Sequence, residues 1–165
     1  MAFLLTSPDI ADHSAITTPY VFPACGGKNL SPQLHWSGAP AGTKSYAITV
    51  YDPDAPTGSG WWHWLIYNIP ESTTGLPRGA SRGKALPPGA VEGPNDFSQV
   101  GYDGPCPPAG SGAHHYVFTI YALKVERITL NANASSAMIG FNLHANMLAQ
   151  SSFTGTFSVG AGPAK

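Results

Sequence analysis

Four residues stand where they could do chemistry together: Asp52, His63, His114 and Tyr116. A tyrosine hydroxyl and imidazole N–H groups are donors, and the backbone amides of the Gly-rich stretch 104–112 can converge on the same concavity. That set suits an oxyanion. An ionised Asp52 would repel an anion, so it reads as the acceptor that fixes an imidazole tautomer, or as a protonated donor. If protonated His63 or His114 holds the anion, binding weakens as pH rises through the histidine range near about 6.5.

Each residue alone has a plainer reading. A single His in an apolar strand is more often a hydrogen-bonded structural residue, and Tyr116 alone is core with a satisfied hydroxyl. Asp52-Pro53-Asp54-Ala55-Pro56 also reads as a rigid turn whose aspartates accept local backbone bonds. Trp61, Trp62 and Trp64 are first of all packing mass, and His35 and His144 read as structural. Only the convergence of several groups favours a site.

Other chemistries are poorly served. Adjacent His114 and His115 alternate faces and no HExxH spacing occurs, so no metal is expected. No G-x-S-x-G elbow is present, and Gly110-Ser111-Gly112 lacks its context. Cys106 can approach His114 in space, but a Pro-flanked thiol suits a structural role better. Rossmann and P-loop fingerprints are absent. The reading is a non-enzymatic protein without cofactor.

The elements that must position these residues are mostly strands. Residues 46–51 alternate and are rich in Tyr, Ile and Val; 62–69 form a longer apolar run, a central strand covered on both faces. Residues 115–123 and 153–159 are further strands, with weaker ones at 3–5, 19–22 and 33–36. The first two strong strands pair antiparallel across the 53–60 loop, which sets Asp52 and His63 at one end. Alternation puts His114 and Tyr116 on one face and His115 on the other. One helix is expected, capped by Ser135 or Ser136, with Ile139, Leu143 and Met147 on one stripe and an end near Gln150. Residues 75–108 are dense in Gly and Pro and read as long loops.

Composition agrees with one domain over 1–165. At 165 residues a proper core is affordable, and 42% hydrophobic residues exclude disorder. Charged residues make up only 10%, and 19 Gly with 16 Pro suit a sheet protein with many turns. A net charge of −1 with 8 Lys plus Arg excludes nucleic acid as a partner. Met1–Leu5 lacks the basic region of a signal peptide and no stretch reaches membrane-span length, so a cytoplasmic protein is the default. There Cys25 and Cys106 would stay reduced, although their Gly/Pro loops can meet in space, which leaves a disulfide open. Few charges and many aromatics are compatible with a homodimer.

The same residues carry a family resemblance. The segments Asp52-Pro53-Asp54-Ala55-Pro56, Gly60-Trp61-Trp62-His63-Trp64, Gly101-Tyr102-Asp103-Gly104-Pro105-Cys106-Pro107-Pro108 and His114-His115-Tyr116 resemble the phosphatidylethanolamine-binding protein family, in its bacterial, Raf-kinase-inhibitor-like branch. Asn29-Leu30-Ser31-Pro32 with Trp36, and the helix with Phe141, Asn142 and His144, fit as well. The resemblance implies a mainly β fold: a large central antiparallel sheet packed with a smaller sheet and one or two peripheral helices. It implies a shallow pocket for phosphate, acetate, cacodylate or a phospholipid head group. Asp52, His63, His114 and Tyr116 match its pocket, and Asp54, Pro56, Pro107 and Pro108 its rim, with the Gly104–Pro108 loop closing one side. It makes Asp52-Pro53 a candidate cis peptide. The function expected is binding of a small anion or phosphorylated ligand that biases a protein partner, without integral membrane association. The alternatives are inhibition of a serine protease or kinase by a loop within 75–100, or a small hydrolase.

Overall fold

Runs that are apolar on both faces can only lie inside a sheet covered on both sides. The computed structural model, which describes residues 1–83 and 85–160, puts three such runs side by side. In chain order the strands are β1 (Leu4–Thr6), β2 (Ser14–Ala15), β3 (Leu34–Ser37), β4 (Ser45–Asp52), β5 (Trp61–Pro70), β6 (Gly75–Leu76), β7 (Val91–Glu92), β8 (His114–Leu123) and β9 (Met147–Phe157). One α-helix among the described residues, α1 (Ser136–Asn146), precedes β9. The larger sheet runs β2-β9-β8-β4-β5-β7 and the smaller β1-β3-β6.

Tyr46, Ile48 and Val50 of β4 join Trp64, Ile66, Phe118 and Ile120 on one face, packed with Leu5 and Trp36 of the small sheet. The other face presents Ala47, Leu65, Tyr67, Tyr121 and Leu123, and α1 covers it with Ile139 and Leu143. Burying each of the Ile, Leu, Val and Phe side chains among these contributes about 1.5–3 kcal/mol. The helix starts where Ser135 accepts from the Met138 amide at 3.1 Å.

β4 lies between β8 and β5, antiparallel to both. The end of β4 and the starts of β5 and β8 therefore share one edge of the sheet. Asp52 faces Trp61 across one ladder, and Tyr51 faces Val117 across the other. The β4–β5 ladder carries a register shift: Val50 faces Trp64 and Tyr51 faces Trp62, so His63 is the extra residue of a bulge. Trp62 packs on the α1 side while Trp64 belongs to the opposite core, which places the break in alternation at His63.

Several expectations are corrected. Residues 19–22 form no strand; Thr18–Tyr20 is a 3-10 turn, because Pro19 has a fixed φ and no N–H for a ladder. α1 ends at Asn146 rather than near Gln150, and Met147 opens β9, opposite Leu123. β9 is longer than 153–159 because its polar Gln150, Ser151 and Ser152 pair with β8 along the whole strand. The large sheet is not wholly antiparallel, since β2 runs parallel to β9. The Asp52–Pro53 peptide is trans, as are all described peptide bonds. Cys25 and Cys106 are joined in a disulfide with a Cα–Cα distance of 5.6 Å, against the reduced state expected by default.

That bond closes a loop spanning 81 residues. The chain-entropy model assigns such a loop about 4 kcal/mol. Urea unfolding with and without reductant, or of the Cys25→Ser/Cys106→Ser variant, is expected to show a loss of that order.

Candidate functional site

At the shared sheet edge a cavity of about 240 Å³ opens, with Asp52, His63, His114 and Tyr116 in its lining. Its walls are apolar, built by Pro56, Trp61, Phe97, Pro107 and Pro108. Asp52, His114 and Tyr116 reach it by alternation on the core face of β4 and β8. His63 reaches it through the bulge, and its ring meets Tyr116 edge-on with centroids 5.1 Å apart. All four residues are buried.

Asp54, expected at the rim, and Gly104, expected in the loop that closes one side, do not line the cavity. Asp54 turns to His115, accepting from its backbone N–H and from Nδ1, each at 2.7 Å. Burial would raise the Asp54 pKa, but the His115 bonds outweigh it and hold the carboxyl below the usual range. Gly104 serves close approach: a Cβ there would stand 2.1 Å from the Tyr20 carbonyl oxygen. The Cys106–Cys25 disulfide then ties the same loop to the 23–25 turn.

His114 is held at both nitrogens. Its Nδ1 lies 2.7 Å from Asp52 Oδ2 and its Nε2 3.0 Å from Ser111 Oγ. Ser111 donates its single hydroxyl proton to the Pro108 carbonyl at 2.7 Å. The Nε2 contact then needs a proton from the ring, and one more proton must lie between Nδ1 and Asp52. The His114–Asp52 pair is thereby neutral as a unit. Asp52 Oδ1 also accepts from the Asp54 amide at 2.8 Å.

His63 is held from outside the cavity. Its Nδ1 donates to the Asp103 carbonyl at 2.6 Å, and a carbonyl can only accept, so the proton of the neutral ring sits on Nδ1. Burial, stronger than the pull of that bond and of Asp52, Asp103 and Asp96, lowers the His63 pKa. The neutral ring then turns a lone pair at Nε2. Burial, reinforced by Asp52 and Asp54, raises the Tyr116 pKa well above the usual phenol range, so its hydroxyl keeps its proton.

Asp103 itself is buried and collects three donors. Asn29 Nδ2 binds Oδ1 at 2.8 Å, while Asn95 Nδ2 and Arg82 Nη2 bind Oδ2 at 2.7 and 2.9 Å. Asn29 also accepts from the Gly104 amide, and Asn95 Oδ1 accepts from the amides of Phe97 and Gln99. One residue thus sets the His63 tautomer through its backbone carbonyl and, through its carboxylate, holds Asn95 and the loop that carries Phe97. Sequence reasoning missed Asn95, Phe97, Arg82 and the hub role of Asp103. The only sequence signal was an acid within a Gly/Pro motif.

A larger concavity, about 460 Å³, lies near Lys44, Asn68, Glu71 and Arg127. Its buried polar residue, Asn68, is already bonded in both senses to the Ile128 backbone. The charged side chains there, Lys44, Glu71, Glu126 and Arg127, are exposed, whereas the smaller cavity is lined by buried titratable groups.

These features define a mainly β protein of two sheets with an apolar-walled pocket at one sheet edge. Residues 6–158 match the family described as phosphatidylethanolamine-binding protein. The chain is 51% identical to the UPF0098 protein YbcL of Escherichia coli (strain K12) over 96% of its length and 88% of that protein. It is 48% identical to YbhB of the same organism, covering 93% and 99%. The crystal structure of E. coli YbcL, titled a new member of the mammalian PEBP family, superposes with a TM-score of 0.93 over 96% of this chain and 99% of that one, at 50% identity. The chain belongs to the phosphatidylethanolamine-binding protein family. No helix among the described residues is long and apolar enough to cross a membrane.

Two outcomes follow from the hub. Asp103→Ala strands Asn29, Asn95 and Arg82 and is expected to lower stability by about 3 kcal/mol in urea unfolding. Nitrogen NMR should find native His63 in the Nδ1–H tautomer, titrating below the usual histidine range because the ring is buried. The unfolded chain binds that proton more readily. Its contribution to stability is therefore complete above about pH 6.5 and is lost as pH falls below it.

Proposed function

We propose that the chain is a non-enzymatic binding protein whose pocket takes phosphate or a phosphorylated head group, occupancy biasing a protein partner. The observation that carries this reading is the pairing of a protonated Tyr116 hydroxyl with His63 Nε2 inside apolar walls, both without a partner among the described residues. Two oriented polar atoms at the base of an apolar-walled cavity fix a small polar group. A volume of about 240 Å³ lies below the roughly 300–1,000 Å³ of drug-sized sites, so a head group fits and a whole lipid does not. Membership of a family named for a phosphorylated lipid supports the same chemistry. The Cys25–Cys106 disulfide favours an oxidising compartment over the cytoplasm.

A hydrolase has one arrangement in its favour, the Ser111–His114–Asp52 chain of contacts. It requires Ser111 to give its proton to Nε2 instead of Pro108, which frees a carbonyl and leaves Asp52 charged in the wall. Turnover of an activated ester that Ser111→Ala abolishes would establish it; the binding reading expects none.

Adding phosphate to labelled protein should shift the resonances of His63, His114 and Tyr116. Tyr116→Phe removes one donor and should weaken binding roughly fivefold, the equivalent of about 1 kcal/mol. Unchanged affinity in that variant would refute the site.

A further inference from the structure

β9 pairs with β8 along one side, but β2 covers its other side only at Gly155 and Thr156. The Ile16 N–H donates to the Thr156 carbonyl and the His13 N–H to the Thr154 carbonyl, each at 2.7 Å. The even-numbered residues of this stretch therefore turn their backbone groups away from β8. Asp12 Oδ1 accepts from the Thr154 N–H at 2.9 Å, and there the cover ends. Ser152 and Gln150, exposed and in the same register, aim N–H and C=O outward without a partner among the described residues.

Sheets ordinarily blunt such an edge with a charge, a proline or a very short strand. The opposite edge of this sheet is blunted in that way, since β7 is two residues long. β9 has 11 residues and no proline, and no Asp, Glu, Lys or Arg occurs between Arg127 and Lys165. The irregularity in its ladder falls at Ala122/Leu123, short of Gln150. Beside the open edge lies a groove of about 230 Å³ with Leu4, Leu5, Ile10 and Phe153 in its walls. Asp12 is the only charged residue in its described lining, with a side chain 56% exposed.

An added strand meets both features at once. Residues opposite Ser152 and Gln150 exchange main-chain bonds with them, and those opposite Phe153 and Ser151 turn toward the groove, as Phe153 itself does. Charge complementarity then orients the segment. A lone carboxylate at the closed end of an apolar groove calls for a cation, and in antiparallel pairing that end meets the amino-terminal side of the segment. A second copy of β9 brings no Lys or Arg to Asp12, which favours a different chain.

We infer that the open edge of β9 docks an extended segment of a protein partner, added antiparallel, with a Lys or Arg over Asp12 and apolar residues at alternate positions over the groove. Main-chain bonds hold the segment, and the groove and Asp12 select it. The surface is separate from the pocket, because Ser152 and Gln150 face Thr119 and Tyr121, farther along β8 than His114 and Tyr116.

The probe is the acetylated, amidated peptide RVTVT, titrated at low salt into isotope-labelled protein of full length. With its arginine over Asp12, its valines stand opposite Phe153 and Ser151 and its threonines opposite Ser152 and Gln150. The Gln150 and Ser152 amides should shift, and at saturation their hydrogen exchange should slow about tenfold. Methylating the two threonine nitrogens should abolish binding, whereas methylating the valine nitrogens, which face away from β9, should leave affinity within about twofold. Asp12→Asn keeps an oxygen for the Thr154 amide and should weaken RVTVT about threefold while leaving the neutral peptide QVTVT unchanged. Equal effects of the two methylations overturn the inference, as does binding that leaves Gln150 and Ser152 unmoved. A dimer in sedimentation whose Gln150 and Ser152 amides are already protected and which excludes the peptide also overturns it, by giving the edge to a second copy.

Discussion

The Asp103 carboxylate is the constraint on which the rest of the pocket depends. A buried carboxylate carries a desolvation cost of several kcal/mol, which only dense hydrogen bonding can offset. Asn29, Asn95 and Arg82 supply that bonding, and each arrives from a different stretch of chain. Satisfying one charge therefore fixes three loops at once. The backbone of the same residue exchanges bonds with His63: its N–H donates to the His63 carbonyl at 3.1 Å, and its carbonyl accepts from the imidazole Nδ1–H. The tautomer of the pocket histidine is set by an interaction that no ligand would touch.

The sheet supplies what the hub cannot. β4 in the middle, antiparallel to both neighbours, brings three strand ends to one edge, and the apolar faces of β4, β5 and β8 make that register costly to slip. The bulge at His63 turns one polar side chain toward the core without disturbing Trp64 and Leu65, which stay fully buried on opposite faces. The disulfide adds a covalent tie behind the Pro107–Pro108 wall. Rigid strands hold the polar floor, and cross-linked, Pro-rich loops hold the apolar walls.

How much of this was legible in the amino-acid sequence differs by type of interaction. β4, β5 and β8 were readable because their apolar residues leave no other fate, and the cap at Ser135 announced α1. The first half of β9 was not, because Gln150, Ser151 and Ser152 join the sheet by pairing: Thr119 and Ser152 hydroxyls meet at 2.8 Å. Asp52, His114 and Tyr116 follow from alternation, whereas the aim of His63 does not, since a bulge has no local signature. Asn95 reads locally as a turn residue, and a turn is what its Oδ1 makes; the bond of its amide to Asp103 is tertiary. Asp54 looked like rim and Gly104 like part of the closing loop because motifs record proximity in sequence, not which way a side chain turns.

A site with no Lys or Arg in its described lining has to obtain its specificity from geometry and exclusion of water. In the low-dielectric setting made by Pro56, Trp61, Phe97 and the two prolines, a single mismatched lone pair weighs more than it would in water. The shared proton of His114 and Asp52 matters for the same reason. Were Asp52 to stand ionised beside a neutral ring, the wall itself would carry the charge of an anion and repel one. The Ser111–Pro108 bond prevents this by making His114 a donor at Nε2, which draws the second proton into the Asp52 contact. An exposed serine on a glycine-flanked loop thus governs the electrostatics of a buried carboxylate, and the pocket's neutrality is a property of its loop as much as of its strands.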